Sequence, residues 1–185
     1  MGVPQPVTKF LVILSAILLF SPQAFAKEAF RVLEGTVVKV TDGDTINIDS
    51  GGTKLKIRLY GIDAPETPKT NRKTGWISKP GQPYGNEAWK ALDDKVNRQR
   101  VRIEVRDVDK YKRLVSVVWL GSRDINREMI AEGWGWAYRK YLDRPHASAY
   151  MSAEEQARAR RLGLWRDGNP QPPWEFRKSV RMQGG

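Results

Sequence analysis

Cysteine is absent from this chain and histidine occurs once, at position 146. Disulfide scaffolds, thiolate zinc or iron–sulfur sites, cysteine nucleophiles and multi-histidine metal centres are thereby excluded. Acidic residues are in deficit, 21 Asp and Glu against 32 Lys and Arg, which leaves a formal charge of +11. That surplus is silent about the fold, but it biases partners toward polyanions such as nucleic acid, acidic glycans or anionic membrane. Hydrophobic residues make up 40% of the chain, with 7 Trp, 6 Tyr and 5 Phe, enough for a packed core and against wholesale disorder. A length of 185 residues fits one compact domain.

Long apolar runs are scarce too. The one that stands out, Phe10 to Phe20 behind a lone Lys9, is short for a bilayer span and leads to the small-x-small pattern Ala24-Phe25-Ala26. It reads as a signal peptide over residues 1–26. Export to a periplasm or out of the cell follows, with no stable membrane anchor after cleavage, and the expected state is a monomer. An oxidising compartment allows disulfides without demanding them, and the remaining chain is long enough to fold by burial alone.

Behind that segment come short runs with period two: Val38 and Val40, then Ile46 and Ile48, then Leu55, Ile57 and Leu59. Val101, Ile103 and Val105 alternate with charged residues, and Leu114 to Leu120 is apolar on both faces apart from Ser116. Five strands are predicted. Helices are predicted over Tyr84 to Gln99, with Ala88, Leu92 and Val96 on one face, after Asp124 as a cap, and from Ser152 to about Leu162. Blocks of strands and helices in this order suggest an α+β fold, a small five-stranded barrel closed by about three helices. The domain is expected over residues 27–168, with 169–185 a basic, Pro-rich, flexible tail, and a second loose stretch from Thr67 to Pro83.

The Gly51-Gly52 pair supplies a ruler, because both residues can take the positive φ of a two-residue hairpin. Ser50 then faces Thr53, and Thr45 faces Arg58. This gathers Asp44, Arg58, Asp63 and Glu66 at one end of the hairpin. Crowded carboxylates repel unless a proton or cation sits between them. Calcium suits the position, being a hard ion that prefers oxygen, with Asp44, Asp63 and a nearby carbonyl as donors and positions left for water and substrate. Asp42-Gly43-Asp44-Thr45 read alone is only a polar turn.

The joint pattern goes further. Thr41-Asp42-Gly43-Asp44-Thr45, Ile57-Arg58-Leu59 with Gly61-Ile62-Asp63-Ala64-Pro65-Glu66, Tyr84-Gly85-Asn86-Glu87-Ala88 and Asp109-Lys110-Tyr111-Lys112-Arg113, in this order, resemble the thermonuclease family typified by staphylococcal nuclease. The resemblance covers roughly Leu33 to Trp165, and the tail Pro172-Pro173-Trp174-Glu175-Phe176-Arg177-Lys178 is similar to that of exported bacterial members. It implies a five-stranded OB barrel with three helices. It also implies Ca²⁺ held by Asp44, Asp63 and the backbone carbonyl of Ala64, with Glu66 orienting or deprotonating the attacking water. Arg58 and Arg113 would grip the scissile phosphate, and Lys110, Tyr111 and Tyr138 would contact the nucleotide. The implied activity is endonucleolytic hydrolysis of DNA and RNA that leaves 3′-phosphate ends.

Two departures from that pattern stand out. Lys112 replaces the usual glycine before Arg113, which leaves open whether that turn keeps the family's shape, and the stretch from Glu66 to Tyr84 is longer, carrying Lys69, Arg72, Lys73, Trp76 and Lys79 that could reach over a bound strand. Trp89, Trp119, Trp134, Trp136 and Trp165 are expected in the core, His146 in a loop without a catalytic role, and Arg158, Arg160 and Arg161 on a solvated helix face. The rival functions are a non-catalytic OB-fold nucleic-acid-binding module and a binder of anionic glycans.

Overall fold

The computed structural model describes residues 1–2, 31–71, 73–144 and 146–183. Apart from Met1 and Gly2, the predicted signal peptide lies outside them. The chain begins with three long strands, β1 (Arg31–Asp42), β2 (Thr45–Ser50) and β3 (Thr53–Leu59), and continues through the short β4 (Ile62–Asp63), β5 (Lys69–Thr70) and β6 (Ile77–Lys79). Helix α1 (Gly85–Val96), strands β7 (Arg100–Val108), β8 (Leu114–Leu120) and β9 (Arg123–Asp124) and helix α2 (Ile125–Ala131) follow. Strand β10 (Trp136–Ala137) and helices α3 (His146–Ala159) and α4 (Pro173–Gln183) complete the described strands and α-helices, with short 3₁₀ turns at Arg139–Tyr141 and Gly163–Arg166.

Strands β3, β2, β1, β7 and β8 pair in that order, and a parallel pairing of β3 with β8 closes them into a five-stranded barrel. This is the OB-type α+β architecture that the pattern predicts. Gly51 and Gly52 both have positive φ, 60° and 85°, and Ser50 faces Thr53 while Thr45 faces Arg58. The barrel core is built from Val37, Val40, Ile46, Ile48, Ile57, Leu59, Val101, Ile103, Val105 and Val118. Strand β1 departs from simple alternation: a bulge between Val37 and Lys39 turns Val37 inward and leaves Val38 half exposed, so Val37 and not Val38 shares the buried face with Val40.

Helix α1 buries Ala88, Leu92 and Val96 as its spacing predicts, and Asp124 caps α2 by accepting the Arg127 N–H at 3.0 Å. Helix α3 begins at His146, well before the predicted Ser152. The signal is a stripe of Tyr150, Ala153, Glu154 and Ala157, which is helical in period but small and polar, and so weak as hydrophobic patterning. His146 therefore sits in a helix, its ring edge-on to Tyr60. Trp136 and Trp165 are buried as expected, whereas Trp89 lies at the surface and donates its indole N–H to the Val40 carbonyl at 3.1 Å.

Both segments predicted to be loose carry regular structure among their described residues, which leave out Arg72, Gly184 and Gly185. Lys69 pairs with Lys79 in a two-stranded hairpin that carries Trp76 at its exposed end. Pro173 begins helix α4, where a missing N–H costs nothing, and the Pro172 carbonyl accepts the N–H groups of Glu175 and Phe176. The expected flexible tail is thus an 11-residue helix, and its contacts reach the candidate site.

Candidate active site

The closed end of the β2–β3 hairpin sets its glycine turn; the open end sets the chemistry. Asp44 sits in the turn between β1 and β2, Arg58 near the end of β3, and Asp63 in β4, where pairing with Trp136 of β10 fixes its direction. Asp44 is 2% and Asp63 0% exposed. One guanidinium serves both: Arg58 donates Nη1 to Asp44 Oδ1 and Nη2 to Asp63 Oδ1, each at 2.7 Å. Asp44 also accepts the Thr45 hydroxyl at 3.0 Å and the Ala64 N–H at 2.9 Å. Burial pushes the Asp44 carboxyl up to about 6; Arg58 opposes the rise and the neighbouring Asp63 adds to it. Arg58 is held charged despite burial because it faces both carboxylates.

Glu66 stands on the loop after β4, and that loop is braced from two sides. Gln82 donates its backbone N–H to the Glu66 carbonyl at 2.8 Å and accepts the Glu66 N–H on its side chain at 3.4 Å. Gly85, the first residue of α1, lies so close beneath that a Cβ there would stand 2.2 Å from the Glu66 carbonyl oxygen. Only glycine permits that approach.

Across the cleft, the turn from β7 to β8 presents Lys110, Tyr111 and Arg113. Asp109 organises it, accepting the N–H groups of Tyr111 at 2.9 Å and Arg113 at 3.0 Å on one oxygen and the Arg113 Nε at 2.6 Å on the other. Lys112 takes the left-handed conformation, φ 61°, that glycine adopts more readily. Tyr111 is 68% exposed, with the cationic groups of Lys110 and Arg113 about 5 Å from its ring centroid.

These residues line one open cleft of about 860 Å³, whose walls include Asp44, Arg58, Ala64, Glu66, Lys110, Tyr111, Arg113 and Tyr138. Asp63 lies beneath it. The structure therefore brings every predicted site residue to one place. Among the described residues no three Asp, Glu or His side chains converge tightly enough to form a ready metal cage, and the acidic pair is satisfied by guanidinium and N–H donors.

Sequence reasoning missed residues that the fold adds from a distance. Arg177 of α4 donates Nη2 to Asp63 Oδ2 at 2.7 Å and Nη1 to Asp63 Oδ1 at 3.1 Å and Glu66 Oε1 at 2.8 Å. Trp174 stacks on Tyr138, centroids 5.5 Å apart and planes 13° from parallel. Gln82 bonds to the Gln171 carbonyl, tying the Glu66 loop to the entry of α4. Arg106 is buried in the cleft wall, its Nη2 3.7 Å from Asp143 Oδ1 and both Nε and Nη2 without a hydrogen bond among the described residues. The one local clue was the placement of Trp174 and Arg177 three residues apart behind two prolines, which puts them on one face of a helix.

The family profile described as "Staphylococcal nuclease homologue" matches residues 56–167. A micrococcal nuclease of Shigella flexneri is 35% identical over 162 residues, 83% of this chain and 85% of that protein. An uncharacterized endonuclease of Haemophilus influenzae is 35% identical over 147 residues, 79% of this chain and 74% of its own length. A thermonuclease of Staphylococcus hyicus is 35% identical over 136 residues, 70% and 73% of the two chains. With the closed barrel and the converging acidic and guanidinium groups, these matches show that the chain belongs to the family of staphylococcal nuclease homologues, and with it to the hydrolytic nucleases.

Proposed function

We propose that the protein is a calcium-dependent, sugar-nonspecific endonuclease that hydrolyses phosphodiester bonds in DNA and RNA and leaves 3′-phosphate ends. The observation that carries this reading is the Arg58 fork on two buried carboxylates at the base of a cleft whose rim bears Glu66, Arg113 and exposed aromatic and basic groups. The donor chemistry fits the ion: two buried carboxylates and a neighbouring carbonyl are hard oxygen ligands, and among the described residues the ion pairs of the carboxylates are with the Arg58 and Arg177 side chains. Asp44, Asp63 and the Ala64 carbonyl would hold Ca²⁺, which when bound offsets phosphate charge and lowers the pKa of a nearby water.

The remaining chemistry belongs to the chain's own side chains. Glu66 accepts a proton from the attacking water, a bond forms from that oxygen to phosphorus, and the bond to the 5′ oxygen breaks, the leaving oxygen taking up a proton. Arg58 and Arg113 supply planar donor forks where charge grows on the phosphoryl oxygens. Lys110, Tyr111 and Tyr138 orient the nucleotide, and Trp76 on the β5–β6 hairpin offers an exposed ring for a base further along the strand. The protein acts as an exported monomer, in a periplasm or outside the cell.

A gel assay tests the reading: labelled single-stranded DNA incubated with the protein in Ca²⁺ or in chelator, beside Glu66→Gln. Cutting in Ca²⁺ alone, and at least a hundredfold slower cutting by a variant that still retards DNA, is the expected result. Retarded but uncut DNA in Ca²⁺ would favour the binding module, and no binding at all the glycan reading.

A further inference from the structure

Helix α4 places Arg177 in the cleft and Trp174 against the cleft residue Tyr138, and none of the roles above uses either side chain. Arg177 takes both oxygens of Asp63 and one of Glu66, and Trp174, one turn earlier on the same face, lies flat on Tyr138. Resting on the calcium-dependent nuclease reading, we propose that α4 is an intramolecular plug. Arg177 stands in for the divalent cation at Asp63 and Trp174 for a nucleobase on Tyr138, so Ca²⁺ and a nucleic-acid strand enter by displacing the helix.

Charge and geometry argue for competition over coexistence. Three carboxylates, Asp44, Asp63 and Glu66, face two guanidiniums, Arg58 and Arg177. Exchanging Arg177 for a divalent ion neutralises the cluster, whereas adding the ion beside Arg177 leaves an excess positive charge in a largely buried setting. Arg177 also uses the Asp63 oxygens that a cation needs. The helix is held lightly: of its described residues only Pro173 is fully buried, Trp174 is half-buried with its ring edge-on to Trp136 at 6.3 Å, and the Arg177 side chain is 37% exposed. The segment leading into it passes Gly168, which has open space around its Cα, while the Gln82 bond to the Gln171 carbonyl keeps the helix tethered near the site. A tethered competitor lowers apparent affinity by the fraction of molecules in which the site is open.

Calcium titration by calorimetry on the full chain, with Arg177→Gln, Trp174→Ala and Lys178→Gln beside the wild type, tests the proposal. Arg177→Gln should bind Ca²⁺ about tenfold more tightly, the factor by which the closed form suppresses the open one. Trp174→Ala should bind several-fold more tightly although Trp174 touches no carboxylate, which separates plug release from simple removal of a repelling charge. Lys178→Gln, an exposed cation on the same helix, should match the wild type. Hydrogen exchange in α4 of the wild type should accelerate when Ca²⁺ is added. If Arg177→Gln or Trp174→Ala binds Ca²⁺ no better than the wild type, or α4 stays equally protected, the plug is overturned and the calcium reading survives. If none of the four proteins binds Ca²⁺, both fall.

Discussion

At the scale of single residues, the turn before Arg113 shows what a substitution away from glycine requires. Lys112 is held at φ 61°, a conformation that costs a residue with a Cβ about 1 kcal/mol. Asp109 offsets that cost by collecting two backbone N–H groups and the Arg113 Nε. Lys112→Gly should therefore raise stability by up to about 1 kcal/mol in urea unfolding, part of the gain being lost to the greater freedom of the unfolded chain. A clear loss would contradict the strain. Burial alone would raise the Asp109 pKa, but the hydrogen bonds and charge of Arg113 hold it below the ordinary 3.8. A carboxylate depressed in the folded state contributes stability above its unfolded pKa and loses it as pH falls through the folded one. The wild type should thus lose stability below about pH 4 more steeply than Asp109→Asn. Parallel pH curves would show that the turn does not depend on that charge.

At the scale of elements, the position of Glu66 depends on helix α1 as much as on its own loop. Gly85→Ala would force a Cβ onto the Glu66 carbonyl at 2.2 Å, and rigid backbone must yield. The expected result is a loss of about 1–3 kcal/mol in stability, with kcat falling far more than substrate binding because the base is misplaced. An unchanged kcat would mean that the brace is dispensable. The hairpin register was legible because two glycines of positive φ pin it and each residue outward follows by counting. The face of β1 was not, because a bulge inserts a residue that alternation cannot anticipate. The early start of α3 hid in a stripe of alanines and tyrosine whose hydrophobic contrast is small.

At the scale of the whole molecule, the barrel and most of the site could be read from the sequence because their residues lie on consecutive or closely spaced strands. Helix α4 could not. Read locally it is a basic segment behind prolines, and the groups that order it are remote: Arg177 and Asp63 are 114 positions apart. The acidic pocket that holds the helix exists only in the folded chain, where β10 pairs with β4 in a sheet separate from the barrel and Arg58 of β3 draws Asp44 and Asp63 together. The excess of positive charge thus has a specific inward use as well as a general attraction for polyanions.

The most direct measurement is anomalous X-ray scattering from crystals of the protein soaked in strontium, a heavier ion of the same chemistry as calcium. A peak shared by Asp44 and Asp63, at the roughly 2.3–2.6 Å typical of hard-cation oxygen ligands or slightly beyond, is the predicted result. A protein that cuts DNA while its only strontium peaks lie away from both carboxylates would contradict it.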